Sequence, residues 1–178
     1  MHLGRAIVDA KSAHFAEYLF NHGITKAALF MGVGAYALRA GGSFYNRIEG
    51  AGRTMPWTSA AVVIAGLSLI GVPGTAGFIS KWMLVQAALE KGWWLIALLI
   101  VASSLLAVMY VWRVVETLYL TAPSEAAAKA KEAPLSMLIP LWIMALATIY
   151  FGFDTNITIG AAQTAAEGLL ADPTGLAH

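Results

Sequence analysis

Residues 71–81, GVPGTAGFISK, lie in the middle of a long interval in which Lys81 is the only charged residue between Arg53 and Glu90. A continuous helix over that interval would be about 55 Å long, nearly twice the thickness of a hydrocarbon core. Proline removes a backbone donor and disfavours helix at the residue that precedes it. The pattern therefore predicts a helix that is interrupted near its centre.

The interrupted helix is predicted to consist of two half-helices over residues 57–70 and 75–89. Four residues are expected to form the break: Gly71, Pro73, Gly74 and Gly77. Non-helical backbone at membrane depth is tolerated only where protein or a water-filled cavity covers it, and such breaks occur at transport sites. A proline kink that merely bends a packing helix is the simpler alternative.

Composition and charge place the remaining segments in a membrane as well. Of the 178 residues, 59% are hydrophobic and 12% are charged, and the mean hydropathy is +0.70. Residues 92–112 and 135–153 contain no charged side chain and are long enough to cross a bilayer. We expect an all-α membrane protein with about four transmembrane helices, the second discontinuous at 71–74. The expected spans are residues 13–38, 57–89, 92–119 and 135–153.

The same composition excludes several classes of function. The 11 Lys and Arg nearly balance the 10 Asp and Glu, so no strong basic field exists to bind nucleic acid. The chain has no cysteine, which excludes disulfides, thiolate metal sites and cysteine nucleophiles. We expect no metal site. A haem-binding bundle is disfavoured because it needs histidines on facing helices, whereas His14 and His22 share one predicted helix.

The loops predict an orientation. Basic residues are more numerous in the two long loops than on the opposite side, where the candidates are Arg5, Lys11 and Lys91. The long loops hold Arg39, Arg47, Arg53, Arg113, Lys129 and Lys131. Because basic residues favour the cytoplasmic side, we expect cytoplasmic long loops and both termini outside. Residues 1–12 are expected to be an N-terminal extension and residues 154–178 an interfacial tail.

Two lysines lie inside predicted spans. A lysine near the bilayer centre costs about 2.5–3.5 kcal/mol on insertion scales, so Lys26 and Lys81 are expected to be functional. The alternative is snorkelling, but Lys81 is about 13 Å from Glu90, further than a stem of about 6 Å reaches. Ser103 and Ser104 in the third span are expected to pack helices.

Four side chains spaced four residues apart form a stripe on the first predicted span: His14, Tyr18, His22 and Lys26. Titratable groups on one helix face suit a proton path bridged by water. We therefore predict a proton relay through Lys26, His22 and Lys81, with Tyr18 and His14 in support. For His14 alone, an anchoring position near the headgroups is the simpler interpretation.

Three segments carry a resemblance to a known family: residues 21–30 (NHGITKAALF), 66–82 (GLSLIGVPGTAGFISKW) and 103–116 (SSLLAVMYVWRVVE). They resemble the proton-conducting antiporter-like membrane subunits. That family includes the D-type membrane subunit of the Mrp sodium/proton antiporters and the large membrane subunits of respiratory complex I and of membrane-bound hydrogenases. The third segment is more similar to the bacterial D-type Mrp subunit than to complex I, and this resemblance implies a bacterial cytoplasmic membrane.

The resemblance implies roles for particular residues. Lys26, with His22 one turn earlier, matches a lysine on the family's central hydrophilic axis. Lys81 matches the residue that ends the proton path on a discontinuous helix. The resemblance also implies transport of protons, with sodium as the candidate exchanged cation, a lipid-embedded complex with other membrane subunits as partners, and no cofactor of its own.

The resemblance covers only the C-terminal portion of family members. The charged residues of their first half have no counterpart here, so we expect another chain or segment to supply the missing N-terminal helices. Three functions remain open. The first is the exit half-channel of a multisubunit cation/proton antiporter. The second is a membrane subunit of a complex I or membrane-bound hydrogenase type complex, and the third is a truncated four-helix remnant that does not conduct. The chain has no predicted catalytic centre of its own.

Overall fold

The computed structural model describes residues 2–42 and 45–153, with side chains from Tyr18 onward. Within these residues the chain is helical and contains no strand. The helices are α1 (His2–Ala40), α2 (Tyr45–Ile48), α3 (Ala51–Thr54), α4 (Pro56–Ile70), α5 (Ala76–Glu90), α6 (Trp94–Val115), α7 (Glu125–Lys129) and α8 (Leu135–Phe153). A π-helical turn, Glu116–Leu120, continues α6. The expected all-α membrane fold is confirmed.

Two helices are long and apolar enough to cross a membrane by themselves. They are α6 together with its π-helical turn, Trp94–Leu120, and α8, Leu135–Phe153. A third candidate in the described residues joins the short helices of 45–54 to α4 across a bend of 111°. The spans expected for α1 and for the α4–α5 pair remain predictions.

The interruption predicted between the half-helices is present. α4 ends at Ile70, and Gly71 caps it in the left-handed conformation (φ 89°), with its N–H bonded to Leu67 O and Ser68 O at 3.1 Å. A Cβ added to Gly77 would overlap the backbone carbonyl of Ser68. The start of α5 therefore lies directly against the end of α4, which requires glycine at this position.

α1, α4 and α8 pack around a core of small residues. Ala28, Ala61, Ala65 and Ala145 are fully buried there together with Leu141. Small side chains let helix backbones approach closely, as is common in membrane proteins. The C-terminal end of α8 packs directly against the break, because a Cβ on Gly152 would lie 2.5 Å from Gly74 O.

Three expectations from the sequence concern the ends of the described region. α1 is continuous from His2, so the backbone of the expected N-terminal extension is part of the first helix. The side chain of His14 lies outside the described part of the chain, and so does the expected interfacial tail, residues 154–178.

Candidate functional site

The side chain of Lys81 turns back from α5 towards the end of α4. Its ammonium donates to Leu69 O at 2.8 Å and to Ile70 O at 3.0 Å, which are carbonyls of the last turn of α4. These carbonyls have no partner within the helix and carry the negative end of its dipole. The third donor of the ammonium bonds to Ser104 Oγ on α6 at 2.9 Å. A positive charge is thereby held at the break, between three helices.

Gly71 makes room for this arrangement. The Lys81 stem passes so close to it that a Cβ there would lie 3.2 Å from Lys81 Cδ. The same glycine adopts the left-handed conformation that ends α4. One residue therefore allows both the helix end and the approach of the ammonium to it.

A polar cavity of about 250 Å³ lies beside the ammonium. Its polar lining includes Asn21, His22, Thr25, Ser68, Ser80 and Lys81. Because one water occupies about 30 Å³, the cavity has room for a cluster of several waters. The lining comes from α1, α4, α5 and α6, so the cavity exists only when these helices are assembled.

Two hydrogen bonds connect α1 to both half-helices. Ser80 Oγ donates its proton to Ala76 O at 2.9 Å and therefore accepts from Asn21 Nδ2 at 3.1 Å. Thr25 Oγ1 donates to the Asn21 carbonyl at 2.9 Å and therefore accepts from Ser68 Oγ at 3.1 Å. One bond lies on each side of the break, so α1 fixes the two half-helices relative to each other.

These bonds leave one buried acceptor of the lining, on Asn21, without a donor. The Asn21 side chain is 1% exposed, and its Oδ1 has no hydrogen-bond partner. Ser80 determines the orientation of this amide, since its hydroxyl proton is already used. A buried acceptor beside a polar cavity is a position at which a water completes the hydrogen bonding.

The structure brings together only part of the predicted relay. Tyr18 and His22 stack with ring centroids 5.6 Å apart and an interplanar angle of 14°, and both line the cavity with Lys81. Lys26 is exposed and does not line the cavity.

Sequence reasoning missed several residues of the site. Asn21 was not connected with the stripe, and Thr25, Ser68 and Ser80 were not singled out. Ser104 was expected only to pack helices, whereas its hydroxyl contacts the ammonium of Lys81. The signal available for Asn21 and Thr25 was their spacing, because they lie four residues apart on a helix that also carries His22.

Comparisons with known proteins agree with this architecture. NADH-quinone oxidoreductase subunit N of Desulforudis audaxviator is 34% identical over 177 residues, which is 92% of this chain and 35% of that protein. F(420)H(2) dehydrogenase subunit L of Methanosarcina mazei is 32% identical over 149 residues, 78% of this chain and 22% of that protein. The chain therefore spans about a third or less of the length of these relatives.

Solved structures show the same fold. A chain of the Mrp complex from Dietzia sp. DQ12-45-1b matches with a TM-score of 0.79 at 22% identity, over 93% of this chain and 39% of that chain. A chain of an archaeal membrane-bound sulfane sulfur reductase matches with a TM-score of 0.72 at 26% identity, over 79% of this chain and 23% of that chain.

The family described as "NADH:quinone oxidoreductase/Mrp antiporter, TM" matches residues 2–107. The match covers α1, both half-helices, the break and the part of α6 that carries Ser104. It covers more than half of the chain, and it contains the whole of the polar cavity lining. The chain belongs to this family of antiporter-like membrane proteins.

Proposed function

We propose that the chain forms the exit half-channel of a proton-translocating membrane subunit, in which Lys81 exchanges protons with water in the polar cavity. One observation carries the proposal: the Lys81 ammonium is held at the break of a discontinuous helix, 2.8 Å from Leu69 O, beside a cavity of about 250 Å³. An ionisable group at membrane depth next to a hydrated cavity is a common element of proton pathways.

The contacts of Lys81 support a group that is charged at membrane depth. Two carbonyl oxygens and one hydroxyl replace the water that an ammonium loses on entering the membrane. The carbonyl partners also belong to the negative end of α4. A lysine in this setting can hold a proton, and cavity water gives that proton a route away from it.

His22 is the second titratable group of the proposed pathway. It lines the same cavity as Lys81 and stacks on Tyr18, whose hydroxyl-bearing ring also lines it. Water between the two groups would complete the relay, and the unpartnered Asn21 Oδ1 offers a position for such a water. We assign Tyr18 the role of holding the imidazole, and we keep His14 as a supporting residue on the same helix face.

We assign Lys26 to the entry end of this relay, on the side of His22 away from Lys81. Its side chain is exposed on α1, one turn beyond His22 and outside the cavity. Because the relatives are about three times as long as this chain or longer, we propose that further membrane helices face Lys26 in the assembled complex. Those helices and other membrane subunits are the proposed partners, and protons enter the relay through Lys26.

The complex itself has two candidate forms. The Mrp-type cation/proton antiporter, with sodium as the exchanged ion, is supported by the fold of a chain of the Dietzia complex. A redox-driven complex is supported by the relatives at 34% and 32% identity, which are named as oxidoreductase and dehydrogenase subunits. We favour the redox-driven form because these sequence similarities exceed the 22% identity to the Mrp chain.

We propose that the complex lies in a bacterial cytoplasmic membrane and that both termini of this chain lie outside.

Proton flux through the native complex tests the proposed function. Everted membrane vesicles carrying the complex are given a potassium diffusion potential, and the resulting proton flux is measured with a pH-sensitive dye. Lys81→Ala removes the proton-carrying group and should abolish the flux, which is expressed per amount of assembled complex in the same vesicles. Lys91→Ala is the matched control, because Lys91 is exposed and lies over the Trp93 ring at 4.6 Å, away from the break.

Each result of this experiment has a definite meaning. Loss of flux in Lys81→Ala with normal flux in Lys91→Ala supports proton transfer at Lys81. Normal flux in both variants contradicts it and leaves the structural remnant as the better description. Stimulation of flux by sodium in the absence of an electron donor would favour the antiporter form over the redox-driven one.

A further inference from the structure

The three protons of the Lys81 ammonium are all committed in this structure. Two are donated to Leu69 O and Ile70 O, and the third is donated to Ser104 Oγ. An ammonium has three donors and no acceptor, so no N–H remains to point into the cavity. A proton can leave Lys81 only through one of these three contacts or after one of them breaks.

The three acceptors differ in what they can do next. A backbone carbonyl can accept a proton in a hydrogen bond but has none to pass on. A hydroxyl both accepts and donates, so Ser104 is the one of the three that can receive a proton while releasing another. It is also the only one of the three that can donate to a neutral lysine amine.

The hydrogen bond that the Ser104 hydroxyl donates is weak. It is directed at Ile100 O over 3.3 Å, a long distance for a hydroxyl donor. The same carbonyl accepts a shorter hydrogen bond of 2.7 Å from Ser103 Oγ. Ile100 O therefore keeps a hydrogen bond when the Ser104 hydroxyl turns away, and the rotation of Ser104 costs little.

We propose that Ser104 is the proton-transfer partner of Lys81, an inference that rests on the proposed function. As the N–H bond towards Ser104 breaks, its proton forms a new O–H bond on Ser104 Oγ. The original Ser104 proton passes to a water molecule at the partly exposed side of Ser104, which is not itself part of the cavity lining, and that water becomes a hydronium ion. The positive charge moves from Lys81 to that water, and the electron pair of the broken N–H bond stays on the amine as its lone pair.

This step leaves the lysine nitrogen where it was. The neutral amine keeps its two N–H bonds to Leu69 O and Ile70 O, and its lone pair accepts from the new Ser104 O–H. Protonation is the reverse sequence through the same atoms. The site therefore accommodates both charge states without moving α5, and only the Ser104 hydroxyl changes its role between acceptor and donor.

Two substitutions at Ser104 provide the test, because one removes its hydroxyl and the other keeps it. Proton flux is measured as above in membrane vesicles carrying the native complex, for Ser104→Ala and Ser104→Thr, with Lys81→Ala as the reference and Lys91→Ala as the control. Ser104→Ala should lower the flux by about tenfold or more, as expected for loss of a positioned proton-transfer group. Ser104→Thr should keep flux close to wild type, because it retains a hydroxyl beside Lys81.

The variants distinguish failure of this inference from failure of the proposed function. Normal flux in Ser104→Ala, with none in Lys81→Ala, overturns the role of Ser104 and leaves Lys81 in place. Equal losses in Ser104→Ala and Ser104→Thr overturn it as well, because the hydroxyl would then be irrelevant. Normal flux in Lys81→Ala overturns both proposals together.

Discussion

Gly77 has the strictest steric requirement of any residue at the break. A Cβ at this position would overlap the Ser68 carbonyl, which is backbone and cannot rotate away. The closeness of the half-helices matters to the site because Ser68 bonds to Thr25 and Leu69 binds the ammonium. A change at Gly77 should therefore act on the cavity without touching Lys81 itself.

Gly77→Ala is predicted to destabilise the assembled complex and to lower proton flux. Overpacking of this kind costs about 1–3 kcal/mol, because the half-helices must separate. Thermal unfolding in detergent and the vesicle assay measure the two effects. Gly23→Ala is the control, because a Cβ there meets nothing within 4 Å. An unchanged unfolding temperature in Gly77→Ala would contradict the close contact between α4 and α5.

The sequence predicted the positions of the break and of Lys81 but not the exposure of Lys26. Residues four apart on an α-helix are offset by about 40°, so Lys26 is turned about 80° from Tyr18. The cavity faces Tyr18, His22 and the side occupied by Asn21 and Thr25, which leaves Lys26 beyond its edge. Spacing alone could not reveal which member of the stripe faced the neighbouring helices.

α4 carries a complementary charge at each end. The Glu132 carboxylate accepts the Trp57 N–H at 2.9 Å and the Thr58 N–H at 3.2 Å, where the first N–H groups of the helix lack partners. The Lys81 ammonium occupies the other end, at Leu69 and Ile70. Both charges are oriented favourably to the helix dipole. The loop before α8 therefore stabilises the start of α4, and α5 stabilises its end.

Glu132→Gln is predicted to lower the stability of the complex while leaving proton transfer at Lys81 intact. The change removes the charge at the start of α4 but keeps an amide oxygen there, and we expect a loss of about 1 kcal/mol. Thermal unfolding in detergent measures the loss of stability, and the vesicle assay measures proton transfer. Glu125→Gln, on the exposed surface of α7, should have no comparable effect. Equal unfolding temperatures for the Glu132 and Glu125 variants would show that the contact does not stabilise α4.

The two capping contacts of α4 illustrate what the sequence could not provide. The end of the helix was predictable, because Gly71 and Pro73 lie next to it. Its partners were not, because Glu132 is 75 residues from Trp57 and Lys81 is 12 residues from Leu69. Such contacts depend on how helices pack, and the local pattern of residues carries no information about that packing.

The described part of the chain combines exposed apolar helix faces with a cavity that has polar lining groups. Large hydrophobic side chains are exposed along α6 and α8, as expected for contact with lipid or with other membrane helices. The cavity lies between α1, the half-helices and α6, and Lys26 is exposed at its margin. In the proposed function, protons pass between a partner that contacts Lys26 and the water near Lys81.

Chemical replacement of the Lys81 ammonium tests this arrangement most directly. The chain has no cysteine, so Lys81→Cys introduces its only thiol, which 2-bromoethylamine converts into a side chain of nearly the same length as lysine. Proton flux in vesicles carrying the native complex should be absent in Lys81→Cys and should return after aminoethylation. Treated wild-type vesicles control for thiols elsewhere in the complex. Normal flux before aminoethylation, or no recovery when mass spectrometry shows complete modification, would contradict proton transfer at Lys81.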